Sequence, residues 1–370
     1  MTSVLKNLLN RKRPCIWLLS AYRSDSHAAW ANWLKSRVTG VDWQIRELPG
    51  RHFAWRIRGN PLSWLDDLPA APPDLIVASS MVDLATIKGL HPRLAGRPCW
   101  YYFHENQFAY PLSDRQLSTI EAAMVQVYGA LAADQLLFNS EWNRQSFLQG
   151  VADLLARMPD QVPGGVVERL VRRSRVLPVP VETIEPAQQR DPGLILWNHR
   201  WEHDKAPELF TEAMLKLAVS AKAFRLALLG HRGPRSHPAL DRLREKLPDH
   251  IVADGFLERS EYQRLVGRAS IVVSTARHEF QGLSLLEAVS AGARPLVPDA
   301  LCYREQYACD YRYPAGDITA MVHRLADWLS GGLPPPADVS AWLADRTGPK
   351  WQESLGAVLP ENQSGGSSIS

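Results

Sequence analysis

The chain has 370 residues, of which 45% are hydrophobic and 22% charged. This is ordinary globular usage, and it excludes a disordered chain, a collagen and a coiled-coil rod; at roughly 150 residues per domain the length favours two domains with substantial cores. Lys plus Arg number 42 against 39 Asp plus Glu, a net charge of +3, which fits nucleic acid, lipid headgroups or a small substrate and selects none of them.

In the first stretch, MTSVLKNLLNRKRP, the basic cluster Arg11, Lys12 and Arg13 follows the apolar residues instead of preceding them, so no secretory signal is expected. No run is long and apolar enough to predict an integral membrane segment. The short apolar runs Ile16–Ser20, Leu75–Ala78, Trp100–Phe103 and Gln135–Phe138 read as buried strands. Between them, Ser26–Val38, Val82–Lys88 and Asp114–Ala132 read as helices, the first capped by Asp25 or Ser26. The third carries Leu117, Ile120, Met124, Val127 and Leu131 at three- and four-residue steps. The segment from Pro178 to Pro192, with four prolines and no periodicity, reads as a linker.

The same rhythm then restarts. Leu194–Trp197, Phe224–Leu229, Ile271–Ser274 and Pro295–Val297 read as strands, and Ala206–Leu217, Pro238–Leu247, Ser260–Gly267 and Leu283–Ala291 as helices. Alternating strand and helix predict an α/β fold of two Rossmann-like domains facing a central cleft. The expected divisions are residues 14–183, residues 192–335, a helical segment over 336–360 that includes Trp342–Leu359, and a disordered Gly/Ser-rich tail over 361–370. Cys15, Cys99, Cys302 and Cys309 form no CxxC pair and have no His at zinc-ligand spacing, which fits a reduced, cytoplasmic compartment.

Parallel sheets place ligands beyond the carboxyl ends of their strands, so the residues just after each strand carry the functional reading. In TARHEFQGLSLLEAVSAGARPLV, Glu279 stands in a turn and Gly282 permits a tight approach before a helix. The free N–H groups around Gln281, Gly282, Leu283 and Ser284 suit a diphosphate, and Glu287, farther along that helix, suits ribose hydroxyls. In ILWNHRWEHDK, Arg200 and Lys205 place two cations on the same anion. His104, Glu105, Asn106 and Gln107 follow a strand in the first half, as do Ser140 and Asn143 in FNSEWNRQSFL, where Ser140 is also a natural helix N-cap. No Asp-x-Asp pair of the kind that ligates a metal accompanies these two cations, so no metal and no cofactor are expected.

The sequence strand, Glu-Phe-x-Gly turn, helix, Glu-Ala, Gly292 resembles the nucleotide-sugar signature of retaining glycosyltransferases of family four, which have the GT-B architecture of two Rossmann domains. The resemblance implies that Glu279 lies near the donor sugar, that Glu287 binds the nucleotide ribose and that Arg200 and Lys205 hold the donor phosphates. FHENQFAYP, FNSEWNRQSFL and WNHRWEHDK narrow the resemblance to the tRNA-queuosine α-mannosyltransferase group, over about Ile16 to Tyr307. That group implies transfer of mannose from GDP-mannose to the cyclopentenediol of queuosine in tRNA-Asp. Where the group tends to show Gly-Gly-Ser-His, this chain has SAYRSDSHAAW: Ser26 and His27 remain, and Arg23, Ser24 and Asp25 replace the small loop.

The implied transition state is oxocarbenium-like, with charge building on the leaving phosphate near Arg200, Lys205 and the N–H groups after Gly282. His104 is expected to hydrogen-bond the sugar or assist deprotonation, and Glu279 to orient sugar hydroxyls. A tRNA acceptor needs a basic face, for which the candidates are Arg11–Arg13, the set Arg169, Arg172, Arg173 and Arg175, and the pair Arg232 and Arg235. A lipid or small glycoside acceptor, or a decayed nucleotide-sugar or RNA-binding module, are the competing readings.

Overall fold

The computed structural model describes residues 13–110, 120–220, 223–230 and 236–359. The first sheet consists of β1 (Cys15–Arg23), β2 (Asp42–Pro49), β3 (Leu75–Ser79), β4 (Cys99–Phe103), β5 (Gln135–Phe138) and β6 (Ser174–Val176). Its connections are α1 (Asp25–Arg37), α2 (Phe53–Ser63), α3 (Leu84–Leu90), α4 (Ile120–Ala132), α5 (Glu141–Leu155) and α6 (Val166–Arg173). The second sheet consists of β7 (Asp191–Trp197), β8 (Arg225–Leu229), β9 (Ile251–Gly255), β10 (Ala269–Val273), β11 (Arg294–Pro298) and β12 (Arg312–Tyr313). With it come α7 (Pro207–Val219), α8 (Pro238–Lys246), α9 (Arg259–Arg268), α10 (Leu283–Ser290), α11 (Tyr303–Gln306), α12 (Ile318–Asp327) and α13 (Ala344–Gly356).

All strand pairs are parallel. The strand orders are β2-β1-β3-β4-β5-β6 and β12-β11-β10-β7-β8-β9. In the second sheet the chain runs outward from β7 to β9, then returns to lie beside β7 as β10. The loops after β7 and β10 therefore diverge to opposite sides and leave a crevice between them, the position where such sheets take ligands. The central strands are buried on both faces, as strands covered by helices on two sides must be. In β1 the period of two separates Ile16 and Leu18 into one cluster and Trp17, Leu19 and Ala21 into the other.

Four strands were not legible as apolar runs: β2, β6, β9 and β12. The half-exposed β2 and β9 close one edge of each sheet, and β6 and β12 are three and two residues long. The cap of α1 is Ser24, whose Oγ accepts from the His27 N–H at 3.4 Å, and not Asp25 or Ser26. The first six residues of the expected Asp114–Ala132 helix, 114–119, lie outside the described residues, as do Arg11, Lys12, Arg232, Arg235 and the tail at 361–370.

The proline-rich linker is not a loose tether. Val179, Val181 and Ile184 are buried in it. Val179 is bound on both sides by one amide: its N–H donates to Gln281 Oε1 at 3.0 Å and its carbonyl accepts from Gln281 Nε2 at 2.7 Å. Val181 forms a parallel bridge with Leu343. The C-terminal helix α13 then returns to the first sheet. Its Trp351 is fully buried, packs on Trp30 and Tyr102 at 5.8 and 5.3 Å, and donates from Nε1 to the Pro178 carbonyl. A second tie between the halves runs the other way: Glu305, in α11, accepts from the Glu141 and Trp142 N–H groups at the start of α5.

Candidate active site

The crevice of the second sheet brings Arg200, Lys205, Glu279, Gly282 and Glu287 into two adjoining groups. After β7, residues His203–Lys205 make a single 3-10 turn, and Ala206 follows in the left-handed region at φ 47. The loop after β10 is sewn to this turn. The Arg277 and His278 N–H groups donate to the Asp204 carbonyl, and Thr275 Oγ1 donates to the carbonyls of Lys205 and Ala206.

Lys205 is buried in that seam. Its Nζ lies 2.8 Å from the His278 carbonyl, 3.0 Å from Glu279 Oε2 and 3.2 Å from Asp204 Oδ2. Burial by itself disfavours both charges. For Glu279 the attraction of Lys205 outweighs it and lowers the carboxyl to about 2; for Lys205 the two carboxylates raise the ammonium above its ordinary value. Arg200 is the accessible cation of the site. It is half-exposed, 3.2 Å from Glu202 and 3.9 Å from Asp204.

Two histidines flank the pair. Burial, then the charge of Lys205, lowers His199 to about 3 and His278 to about 4, so both are neutral. Their Nε2 atoms are buried with no hydrogen-bond partner among the described residues. The His278 ring meets Tyr110 of the first half at 4.6 Å.

Gly282 caps α10 at φ 68, a conformation that disfavours any side chain there. A Cβ would also approach Tyr303 and Glu279 within 3.5 Å. The first capped bond of α10 runs from the Leu286 N–H to the Gly282 carbonyl, so the N–H groups of Leu283, Ser284 and Leu285 precede the intrahelical ladder. The Leu283 side chain packs on the core of the first half. The Ser284 carbonyl accepts from Asn198 Nδ2 at 2.8 Å. The Gln281 side chain is committed to Val179 and its carbonyl to Gln306 Nε2, so it anchors the linker instead of facing a ligand.

Glu287 is held on both oxygens: Arg259 Nη2 lies 2.8 Å from Oε1, and Tyr262 Oη donates to Oε2 at 3.0 Å. Asn198 Nδ2 also lies 3.3 Å from Tyr262 Oη. Arg259 stacks over the Tyr262 ring at 5.5 Å. Arg259, Tyr262 and Asn198 were missed by sequence reasoning. Only Asn198, directly after a strand, carried a positional signal.

In the first half, His104 sits at the end of β4 in an aromatic nest of His27, Trp30 and Tyr102, with centroids 4.1, 4.6 and 4.7 Å away. Burial, reinforced by His27, holds it well below the ordinary histidine value. His27 Nδ1 donates to the Tyr22 carbonyl at 2.8 Å, which fixes that ring. Ser26 is exposed and its hydroxyl lies 3.0 Å from that of Ser24.

Three expected acceptor-side residues do other work. Asn106 is fully buried: its Nδ2 donates to Asn143 and Ser146, and its Oδ1 accepts from the Phe108 and Ala109 N–H groups. Asn143 Nδ2 donates to the Phe103 carbonyl and Asn139 Oδ1. Ser140 caps α5 by accepting from the Asn143 N–H at 3.0 Å. These buried polar groups bind one another and the backbone, which shapes the loop walls. Glu105 and Gln107 are half-exposed and anchored through their backbones, the Glu105 carbonyl to Ser80 Oγ and the Gln107 N–H to Gln126 Oε1.

Of the expected basic cluster, Arg169 and Arg172 are exposed on α6. Arg173 instead donates to the carbonyls of Leu131 and Ala133 at the end of α4, and Arg175 stacks over Trp100 at 5.7 Å.

Residues 15–181 match the family model described as tRNA-queuosine alpha-mannosyltransferase N-terminal, and residues 182–339 the model described as Glycosyl transferases group 1. The tRNA-queuosine alpha-mannosyltransferase of Drosophila melanogaster is 32% identical over 316 residues, covering 81% of this chain and 84% of that protein. Among solved structures, lipopolysaccharide outer core galactosyltransferase WaaB in its apo form superposes with a TM-score of 0.63 at 13% identity, covering 93% of this chain and 99% of that one. Anabaena HepE in complex with UDP and glucose gives 0.64 at 12% identity, covering 93% and 100%. At these identities the two structures establish the shared fold.

Proposed function

The chain belongs to the tRNA-queuosine alpha-mannosyltransferase family and is a GT-B glycosyltransferase, and from that premise we propose that it moves mannose from GDP-mannose to queuosine in the anticodon of tRNA-Asp. The observation that carries the donor half is the pairing of Lys205 with Glu279 across the two loops that flank the crevice, one helical start away from Glu287. The diphosphate lies on the N–H groups at the start of α10, with Arg200 as its outer cation. Glu287, its geometry set by Arg259 and Tyr262, takes the ribose hydroxyls.

As the C–O bond to the diphosphate breaks, negative charge builds on the leaving phosphate. Arg200, Lys205 and the helix N-terminus supply the compensating field in a site already half-desolvated. Those cations support a metal-independent transfer. Glu279 remains ionised and orients sugar hydroxyls, and neutral His104 accepts a hydrogen bond from the sugar or the acceptor hydroxyl. The name of the relative and the family supports the acceptor, and the residues of the second half support a nucleoside diphosphate sugar.

The test is direct. Purified protein is incubated with GDP-mannose and tRNA bearing queuosine, with and without chelator, the tRNA is digested, and queuosine is weighed. A hexose increment that survives chelation is expected. Transfer to a lipid or free glycoside but not to tRNA would replace the acceptor, and no turnover with any nucleotide sugar would leave a binding module.

A further inference from the structure

The first half carries one tryptophan that packing does not explain. Among the described residues, Trp55 is the exposed tryptophan, 55% accessible, while Trp17, Trp30, Trp64, Trp100, Trp197 and Trp351 are fully buried. It stands in the first turn of α2, opposite Gly59 one turn on. A Cβ built at Gly59 would lie 2.5, 2.7 and 2.8 Å from Cε2, Cζ2 and Cδ2 of the indole. Two of these three atoms form the fused bond at the centre of the indole, so the ring presents its face, not its edge, to the helix. Glycine at position 59 lets the indole lie flat, and the opposite face is turned to solvent.

The segment that carries the ring is basic. Between Glu47 and Asp66 the chain has Arg51, Arg56 and Arg58 and no acid. Arg58 is tied to Asp83 at 2.8 Å but keeps half its surface exposed, and Arg51 is exposed. The helix that carries the ring starts beside the end of β1. β2 ends beside β1, with Pro49 in register with Arg23, and the Phe53 ring packs on Tyr22 at 6.2 Å.

We infer that the face of α2 bearing Trp55, with Arg51 and Arg58 beside it, docks a single-stranded segment of the RNA acceptor, Trp55 stacking on an unpaired base and the arginines meeting phosphates. Single-stranded RNA presents unstacked bases to aromatic faces and phosphates to cations, and an exposed indole in an arginine-bearing segment is complementary to both. The inference rests on the reading of tRNA as acceptor. It names a surface distinct from the donor crevice, so the two can fail separately.

The experiment uses the full chain and a fluorescently labelled anticodon arm of the tRNA. Binding is followed by anisotropy at low and at physiological salt for Trp55→Ala, Trp55→Phe and Arg51→Gln. Affinity for GDP and the thermal midpoint are measured alongside. Trp55→Ala should weaken RNA binding roughly tenfold, the order expected for loss of one stacked base, and Trp55→Phe should restore most of it. Arg51→Gln should lower the salt slope by about one, as loss of one phosphate contact does. GDP affinity should stay unchanged in all three.

RNA binding by Trp55→Ala and Arg51→Gln equal to that of the unmodified chain would overturn the inference. So would loss of binding to anionic phospholipid vesicles in Trp55→Ala with RNA binding intact, which would make the patch a membrane contact. A chain whose RNA binding depends on Trp55 but which transfers no hexose would uphold the surface and remove the proposed reaction.

Discussion

Lys205 Nζ stands 3.0 Å from Glu279 Oε2, and the two residues belong to loops that leave adjacent parallel strands, β7 and β10, in diverging directions. Lys205 itself ends a 3-10 turn, and the Arg277 and His278 N–H groups tie the second loop to it through the Asp204 carbonyl. The ion pair, with Asp204 and the His278 carbonyl completing the coordination of the ammonium, adds a side-chain tie across the same seam.

A buried pair of this kind has an asymmetric energetics: both charges together are nearly compensated, and one charge alone is not. Lys205→Met should therefore lower the unfolding free energy by about 3–5 kcal/mol, because it leaves Glu279 and Asp204 facing each other without a cation. Glu279→Gln should cost less, since its amide oxygen still accepts from Nζ and Asp204 still balances the charge. Urea unfolding of the two variants compares them, and a Lys205→Met that unfolds at the same urea concentration as Glu279→Gln would show that the pair does not hold the loops. Glu279 also carries an acid signature. Its folded value of about 2 is below the unfolded one, so its stabilisation is complete above about pH 4.3 and is lost as pH falls toward 2. Glu279→Gln should flatten that limb of the stability curve.

The neutral histidines act in a different window. His278, lowered to about 4, and His199, lowered to about 3, bind fewer protons in the folded chain than in the unfolded one. Stability contributed by each is therefore full above about pH 6.5 and declines as pH falls through the unfolded value toward the folded one. His278→Phe keeps a ring against Tyr110 and Phe280 and removes the titration. Its urea midpoint should change less between pH 6.5 and 4 than that of the unmodified chain. An equal slope in the two proteins would mean that His278 is already solvated and charged in the fold.

Glu287 is read as the ribose ligand, and its two protein partners separate binding from turnover. Glu287→Ala should weaken affinity for GDP by about tenfold or more, as loss of a charge-assisted hydrogen bond does. Tyr262→Phe removes the one Oη that Glu287 and Asn198 share, and should weaken GDP by only a few fold while leaving turnover at saturating donor nearly unchanged. Calorimetric titration with GDP reads both. Unchanged affinity in Glu287→Ala would remove the ribose assignment and leave the carboxylate as a partner for Arg259 alone.

What the sequence disclosed follows the physics of burial. Strands such as Trp100–Phe103 and Leu194–Trp197 are covered on both faces and so appear as unbroken apolar runs. Asp42–Pro49 and Ile251–Gly255 lie at sheet edges, where half-exposed positions admit Gln, Arg, Glu and Asp and the run disappears. The helix Phe53–Ser63 has four apolar residues in its first five but Arg56, Arg58 and Pro61 interrupt any stripe. At the site, residues identified by a motif, such as Glu279 and Gly282, fell in the crevice. Residues identified only by polarity after a strand divided: His104 lines the aromatic nest, whereas Asn106 and Asn143 bind each other and the backbone. Gln281, placed by the motif, binds the Val179 backbone instead. Polarity does not reveal whether a side chain points outward or meets a buried carbonyl, because both uses select the same amides.

Glu305 offers a test of how the halves are joined. Its carboxylate accepts from the Glu141 N–H at 3.0 Å and the Trp142 N–H at 3.2 Å, while Ser140 in the same turn satisfies the Asn143 N–H. The first three donors of α5 are thus shared between a local cap and a residue of the other half. A helix N-terminus favours an anion by about 0.3–1 kcal/mol, and two charge-assisted hydrogen bonds add to it. Glu305→Ala should release two of the three donors to water and leave the third bound. Backbone hydrogen exchange should therefore accelerate at Glu141 and Trp142 and change little at Asn143. Ser140→Ala should do the reverse, exposing Asn143 while Glu305 protects the other two. If Glu305→Ala leaves exchange at Glu141 and Trp142 as slow as before, the carboxylate is not what covers the start of α5, and the halves meet through the linker, α13, Leu283 and the Tyr110–His278 contact without it.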